Sequence, residues 1–150
     1  MKTSVSHIAL FVPDLQEAET FYKNLFDMEL IGREAEKEDG LWSTLPFDKA
    51  WEDTKAAGMD LDMTALRNGE FVLALFRGTN NPPGQVFAIG LGADEKDIKA
   101  IHEKLSPDIK MEVFQPERLE FIDPYHITWQ IAVKPTFRTA GDFANRWLII

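Results

Sequence analysis

The three histidines are the main candidates for acid–base chemistry or metal binding in this sequence, because the chain contains no cysteine. The lack of cysteine excludes disulfides, thiolate nucleophiles and cysteine metal ligands. His7 lies in a strand-like segment, His102 beside the apolar stripe of a predicted helix, and His126 near the end of the chain. An imidazole titrates near neutrality and binds metals, so His7 is a candidate ligand or weak base. A lone strand histidine is also often a hydrogen-bonded core residue, and the residues alone leave both interpretations open.

Thr128 and Gln130 are further polar candidates, in the strand-like run 126–133. Side chains alternate along a strand, so both are predicted to share a face with His126. His126 and Gln130 would lie about 13 Å apart, at about 3.3 Å per residue, which is too far for both to bind one ion. The Gln130 amide offers a ligand a donor and an acceptor, and the alternative is that neighbouring side chains satisfy it.

The elements that would position these residues begin with a strand at 4–12, which Pro13 ends. Asp14, with Glu17 three residues later, predicts the capped start of a helix. Strands are then predicted at 28–35, 59–66 and 70–76, the last two joined by a turn at Asn68-Gly69.

A long acidic segment, residues 36–58, is predicted to be a loop with a short helix around 49–57. It carries Trp42, Phe47 and Trp51. Loops of this length are often lids, so Trp42 and Trp51 are predicted to roof a pocket. The alternative is that these aromatic side chains fill the space beneath the loop.

The pattern restarts after a linker at 79–84, with a strand at 86–91 and a helix that Asp94 caps. Strands at 109–114, 118–122 and 126–133 follow, and a short tail helix at 135–150 is predicted to carry Phe143 and Trp147. A shift of 80 residues places Asp14 on Asp94 and His7 on Phe87. This internal repeat predicts two equivalent modules.

Two motifs resemble those of a known family. They are His7-Ile-Ala-Leu-Phe-Val-Pro-Asp14 with the later pair Phe21-Tyr22, and Phe121-Ile-Asp-Pro-Tyr-His-Ile-Thr-Trp-Gln130. They are similar to the opening and closing motifs of the vicinal-oxygen-chelate superfamily, which includes glyoxalase, bleomycin-resistance protein and extradiol dioxygenase. The resemblance implies an α+β fold, with two βαβββ modules forming an incomplete eight-stranded barrel around a cavity. It implies one domain over 1–150, with module one at about 1–78, module two at about 84–133 and the tail helix at 135–150.

The resemblance also implies four metal-ligand positions, which are His7, Ala74, Phe87 and Gln130. Ala74 and Phe87 have no donor atom, and a neutral amide is a weak donor. A catalytic zinc site usually has at least three protein ligands. We therefore expect no metal cofactor, with His7 and Gln130 as vestiges of the site. A divalent metal held by a site rebuilt from Asp60, Asp62 or a loop glutamate is the disfavoured alternative.

The expected function is the binding of a small, largely apolar or aromatic molecule in the family's cavity. If His7 and Gln130 point inward, alternation also turns Ala74, Phe87, Ile89 and Thr128 inward. The predicted ligand-binding residues are therefore His7, Ala74, Phe87, Thr128 and Gln130, beneath Trp42 and Trp51. One alternative is a metal-dependent enzyme, glyoxalase-like lyase or extradiol-dioxygenase-like. Another is an interaction domain whose own aromatic residues fill the cavity.

The net charge of −9, from 25 acidic and 16 basic residues, argues against nucleic acid and anionic membranes as partners. The sequence shows neither a signal peptide nor an apolar run of the roughly 20 residues that span a bilayer. We therefore expect a cytoplasmic protein with a small-molecule ligand. The resemblance also allows a homodimer.

Overall fold

A computed structural model describes residues 7–38, 40, 42–79, 81–82, 86 and 88–133. Within them the chain has a mixed α+β fold, with one sheet of five strands, one of four, and no closed barrel. The chain divides into two compact units, Met1–Asn81 and Pro82–Ile150. In the described part of the chain, no helix has the length and apolar character that crossing a membrane requires.

The first unit contains the five-stranded sheet, with strand order β1-β5-β4-β2-β3. β1 and β5 are parallel and the other pairs are antiparallel. Its elements are β1 (Ile8–Val12), α1 (Leu15–Phe26), β2 (Glu29–Glu36), β3 (Trp42–Thr44), α2 (Trp51–Ala56), β4 (Met63–Asn68) and β5 (Phe71–Arg77). The predicted βαβββ order is confirmed, but the predicted loop at 36–58 also holds the short strand β3. The helix predicted within that loop is confirmed as α2.

The second unit contains the four-stranded sheet, with strand order β6-β9-β8-β7 and a parallel β6–β9 pair. Its elements are β6 (Ile89–Gly92), α3 (Glu95–Lys104), β7 (Lys110–Gln115), β8 (Arg118–Ile122) and β9 (Thr128–Ala132). This order repeats the βαβββ pattern. Phe87 and the predicted tail helix at 135–150, with Phe143 and Trp147, lie outside the described residues.

The two main helices begin as the sequence predicts. The Asp14 carboxylate accepts a hydrogen bond of 2.9 Å from the backbone N–H of Glu17, and Asp94 accepts one of 3.1 Å from Asp97. Each bond satisfies one of the N–H groups that a helix start leaves without a partner in the helix. The 80-residue repeat is therefore confirmed at the helix starts.

The repeat shifts by one residue in the strands that precede these helices. Leu10 is 2% exposed in β1, whereas Gly90, 80 residues later, is exposed and its neighbour Ile89 is 7% exposed. Ile89 pairs with the buried Trp129, so both side chains lie on the buried face of the second sheet. Gln130 pairs with Gly90, the residue after Ile89, so the side chains of Ile89 and Gln130 lie on opposite faces of the sheet. The prediction that Ile89 lines a cavity with Gln130 is therefore wrong.

Burial alternates from His126 to Gln130 as predicted, although His126 itself lies outside the strand. This residue precedes β9, in a turn with a left-handed backbone (φ 66°). Alternation of side chains holds only along extended backbone. The side chains of His126, Thr128 and Gln130 all lie away from the buried Ile127 and Trp129, but only the last two are placed there by strand geometry.

An asparagine side chain occupies the backbone hydrogen-bonding groups of one residue, Phe11, at the edge of the first sheet. Asn81 donates a hydrogen bond of 2.9 Å from Nδ2 to the carbonyl of Phe11. Its Oδ1 accepts one of 3.3 Å from the Phe11 N–H. β1 is an edge strand, so the Asn81 amide occupies the place that a neighbouring strand would take.

We expect Asn81→Ala to lower the free energy of unfolding by about 1–2 kcal/mol, because it removes both hydrogen bonds to Phe11. Urea denaturation would measure the loss. Thr79→Ala is the control, since Thr79 is an exposed neighbour in the same segment. Equal stability of the two variants would contradict the role assigned to Asn81.

Candidate functional site

A row of small side chains crosses the face of the first sheet opposite α1. The buried Leu66, Leu73 and Leu75 lie on the α1 side, because α1 contacts β4 and β5. Alternation therefore turns Ala65 and Ala74 to the other side. Ala74 is aligned with Ala9 of β1 and with Ala65 of β4, so three alanines lie side by side.

Aromatic side chains border this row. Phe11 and Phe76 are aligned across β1 and β5, with their ring centroids 6.5 Å apart, and Trp42 lies 6.1 Å from Phe76. Phe11 is 57% exposed and Trp42 is 43% exposed, which is a large apolar area in contact with water. We call the three alanines with Phe11, Phe76 and Trp42 the alanine trough.

His7 borders the trough on the side away from the aromatic residues. It directly precedes β1, is exposed, and shares the face of Ala9 by alternation. Neighbouring rows on one face are about 6.7 Å apart, and three strands span about 10 Å. The row of alanines therefore spans about the width of a flat ring between Phe11 and His7, and Ala74 at its centre is only 7% exposed.

The Phe11 ring has room beside Phe76 because Gly78 has no side chain. A Cβ atom at this position would lie 2.8 Å from Cδ1 of Phe11. Any larger residue would therefore push the Phe11 ring away from its place beside Phe76. The sequence gives no sign of this requirement before the structure is known.

Trp51 lies on the other side of the first sheet. The Arg33 guanidinium carbon is 4.9 Å from the centre of the Trp51 ring, and Arg33 also binds Glu19 of α1. Arg33 is aligned with Thr64, whose face is opposite to that of Ala74. Trp42 therefore borders the predicted site, and the structure does not place Trp51 over it.

Glu19 is the centre of this buried cluster, with an exposed fraction of 3%. Arg33 donates to its two oxygens at 2.6 and 2.8 Å, and the Thr64 hydroxyl donates at 2.8 Å. Burial acts to raise the pKa of Glu19, but the bonds from Arg33 and Thr64 and the Arg33 charge together lower it. The Trp51 N–H also helps to lower this pKa, although it is buried without the geometry of a formed hydrogen bond.

The second unit places Thr128 and Gln130 on the face opposite the buried Trp129. Gln130 is aligned with Gly90 on one side and with Glu120 on the other. The Nε of Arg118 donates to Glu120 at 2.7 Å. Sequence reasoning missed Glu120, although the alternation of β8 around the buried Leu119 was the signal that could have found it.

A buried carboxylate fixes the strand that carries Gln130. Asp123 is 3% exposed and accepts hydrogen bonds from the N–H groups of Tyr125 and Ile127, at 2.8 and 3.0 Å. It also accepts one of 2.7 Å from the indole N–H of Trp129. Asp123, in the Asp-Pro pair of the closing motif, therefore has a structural role in turning the backbone into β9.

A cavity of about 500 Å³ lies in the second unit, away from the predicted residues. It is bounded by α3 and the β7–β8 hairpin, through residues that include Ile98, Phe114 and Pro116. Phe114 is aligned with the buried Leu119, so the cavity is on the face opposite Gln130. It contains none of the residues that the sequence predicts to bind a ligand.

Comparison with known proteins gives a family and a fold. The sequence model of the Glyoxalase/Bleomycin resistance protein/Dioxygenase superfamily matches residues 4–131. No curated protein sequence is similar enough to count as a relative.

Several solved structures share the fold. FosX, a fosfomycin resistance protein from Listeria monocytogenes, has a TM-score of 0.66 at 15% identity, over 98% of this chain and 100% of that chain. FosX from Mesorhizobium loti also has a TM-score of 0.66 at 15% identity, over 97% and 100%. A possible glyoxalase from Bacillus cereus has a TM-score of 0.55 at 16% identity, over 87% and 99%. At these identities the likeness shows the fold alone.

At two of the positions that the resemblance implies for metal ligands, the described side chains are poor donors. The Listeria protein has been solved in complexes with Mn(II). Here Ala74 offers only a methyl group, and Gln130 offers a neutral amide. The described ranges contain no group of three or more histidine, aspartate or glutamate side chains placed to hold one ion.

We expect the stabilising effect of Glu19 to depend on pH. Its folded pKa lies below the ordinary value of 4.5, so its contribution is complete above that value and is lost as the pH falls through the folded pKa. The difference in unfolding free energy between the wild type and Glu19→Gln should therefore shrink on acidification. Urea titrations between about pH 7 and pH 3 would measure it.

Glu29→Gln is the control, because the Glu29 side chain is 79% exposed and 3.7 Å from Arg67. Surface pairs of this kind contribute little to stability. A Glu19→Gln difference that is as flat with pH as that of Glu29→Gln would contradict the buried pair.

Proposed function

The chain belongs to the glyoxalase/bleomycin resistance protein/dioxygenase superfamily, and we propose that it binds a small, largely apolar or aromatic molecule without a catalytic metal. The binding surface in this proposal is the alanine trough. The observation that carries it is the row of Ala9, Ala74 and Ala65 beside the exposed Phe11 and Trp42.

The exposed rings provide the driving force. Removing apolar surface from water contributes about 25 cal/mol per Å². A ligand ring lying on the alanines would meet Phe11, Phe76 and Trp42 at its edge. Contacts between aromatic rings add about 0.5–1.5 kcal/mol beyond the area that they bury. The small floor residues matter because larger side chains would occupy the ligand's place.

His7 supplies polarity to an otherwise apolar surface. Small-molecule sites commonly pair apolar walls with a few polar groups that fix the ligand's orientation. The imidazole can donate or accept a hydrogen bond, according to its tautomer. We therefore assign His7 to orientation of the ligand through a hydroxyl, carbonyl or amine group.

The second candidate function is a metal-dependent enzyme, and the Mn(II) complexes of the Listeria neighbour favour it. In this chain it would require a site rebuilt around His7. The donor chemistry weighs against it, because Ala74 cannot bind a metal and Gln130 would be a weak ligand.

We expect no stoichiometric divalent transition metal in the untagged protein purified without chelators. The reason is that one imidazole and one amide fall short of the three protein donors usual in a catalytic site. Elemental analysis would measure the metal content. A content near one metal per chain, removed by a chelator together with an activity and lost in His7→Ala, would establish the enzyme instead.

We expect 2-naphthol to bind saturably and to change tryptophan fluorescence. Trp42→Ala should weaken binding by about 1 kcal/mol, roughly fivefold, because it removes one aromatic border. Gly78→Ala should also weaken it by displacing Phe11. Isothermal titration calorimetry would give the affinities of all variants on one scale.

Trp51→Phe is the matched control, because Trp51 lies on the α1 side and phenylalanine keeps a ring beside Arg33. Its affinity for 2-naphthol should equal that of the wild type. Equal weakening by Trp42→Ala and Trp51→Phe, or no saturable binding to the wild type, would count against the alanine trough as the site.

A further inference from the structure

The cavity in the second unit shares no residue with the alanine trough. We propose that this cavity, between α3 and the β7–β8 hairpin, binds a small apolar molecule that carries one carboxylate group. The trough lies on the sheet of the first unit, so the inference goes beyond the proposed function and is tested separately.

The cavity exists because α3 packs on one strand of the sheet and leaves the next strand uncovered. α3 contacts β8, in which Leu119 and Phe121 are fully buried. Phe114 of β7 is aligned with Leu119, so both side chains lie on the same face, yet Phe114 is 48% exposed. Within the described residues, β7 is an edge strand of this sheet. Its face beside α3 is therefore the wall of a groove and not part of the core.

The walls of the cavity are largely apolar. Phe114 and Pro116 form the side of the hairpin, and Ile98 of α3 closes the cavity towards the core. The Phe114 ring stacks on His102 of α3, with the ring centroids 3.6 Å apart and an angle of 4° between the planes. This stack fixes the ring at the border between α3 and β7, where one of its faces remains for a ligand.

The size of the cavity suits a small molecule. Its volume of about 500 Å³ lies within the range of roughly 300–1,000 Å³ that is typical of ligand pockets. Such pockets combine apolar walls with a few polar groups that fix the ligand's orientation. An alkyl chain or saturated ring in the cavity would remove the surfaces of Phe114 and Pro116 from water, which favours binding.

Two lysines at the mouth of the cavity favour an anionic group on the ligand. Lys96 and Lys99 border the cavity with side chains that are 81% and 73% exposed. Lysine stems cover apolar surface while their ammonium groups stay in water. The partners of these lysines, Asp94 and Glu103, lie 3.5 and 3.8 Å away. Exposed pairs of this kind contribute little, so a ligand carboxylate can replace these partners.

The balance of charge favours a single carboxylate. Glu95 is the one acidic residue among the described residues that border the cavity, so the two lysines leave one positive charge in excess. The net charge of −9 opposes anions at long range, but physiological salt screens charges beyond about 8 Å. The lysines at the mouth therefore determine which charged group the cavity accepts.

The test compares three probes that share one alkyl chain: octanoate, 1-octanol and octylamine. Calorimetric titration of the wild type should rank them in that order, with octanoate bound about tenfold more tightly than octylamine. Trp42→Ala should leave the octanoate affinity unchanged, because Trp42 borders the alanine trough in the first unit.

A pair of lysine substitutions tests the charged mouth. Lys96→Gln combined with Lys99→Gln should weaken octanoate binding about fivefold and change the 1-octanol affinity less than about twofold, because only the carboxylate loses its partners. Lys104→Gln combined with Lys110→Gln is the matched control. It removes the same charge from exposed positions in the same unit that do not border the cavity, and should leave octanoate binding unchanged.

A substitution in β7 tests the apolar wall. Phe114→Ser should weaken the binding of octanoate and of 1-octanol by a similar factor, about fivefold, because both lose contact with the ring. Met111→Ser is the control, since Met111 is an exposed apolar residue of the same strand that does not border the cavity. Thermal unfolding of each variant would confirm that the fold is intact.

Four results would overturn the proposal: no saturable binding of octanoate, equal affinities for octanoate and octylamine, equal effects of the two lysine pairs, or equal effects of Phe114→Ser and Met111→Ser. Analytical ultracentrifugation tests a different occupant. A dimer that dissociates on Phe114→Ser would assign the cavity to a second copy of the chain and would also overturn the proposal. The alanine trough is tested through Trp42→Ala and 2-naphthol, so either proposal can fail without the other.

Discussion

One face of each sheet packs against a helix, and alternation along the strands decides which side chains lie on the other face. Leu73 and Leu75 are fully buried on the α1 side of the first sheet, and Trp129 and Ile131 on the corresponding face of the second. The residues between them in the sequence must point the other way. Position along a strand therefore fixes which face of the sheet a side chain joins.

One buried carboxylate in each unit fixes the position of the strands. Glu19 joins α1 to β2 and β4 through Arg33 and Thr64, and Asp123 turns the chain into β9. A buried charge is tolerated only when donors surround it, so each carboxylate commits several groups to one geometry. Neither residue faces a candidate ligand. Their hydrogen bonds fix the position of the strands that carry Ala65 and Gln130.

The sequence was sufficient for the order of the main elements, though not for the short strand β3, because caps and apolar periodicity are local signals. Asp14 and Asp94 marked the helix starts correctly, and their spacing revealed two modules. The face of the sheet on which a strand residue lies is harder to predict from sequence, because an offset of one residue turns every side chain to the other face, as at Ile89. The position of Trp51 was not predicted because its contact with Arg33 joins two separate elements, which local patterns do not indicate.

The Asn81 amide also has a consequence for how molecules of this protein meet one another. An edge strand with unsatisfied backbone groups is a template for joining the strand of another molecule, which leads to intermolecular sheets and aggregation. At Phe11 both backbone groups are already occupied by Asn81. The exposed Phe11 ring would favour association of that strand with another molecule. Asn81, 70 positions away in the sequence, occupies the backbone groups that such an association would need. At Phe11 the sheet edge therefore combines an exposed aromatic ring with backbone groups that are already hydrogen-bonded and cannot pair with the strand of another molecule.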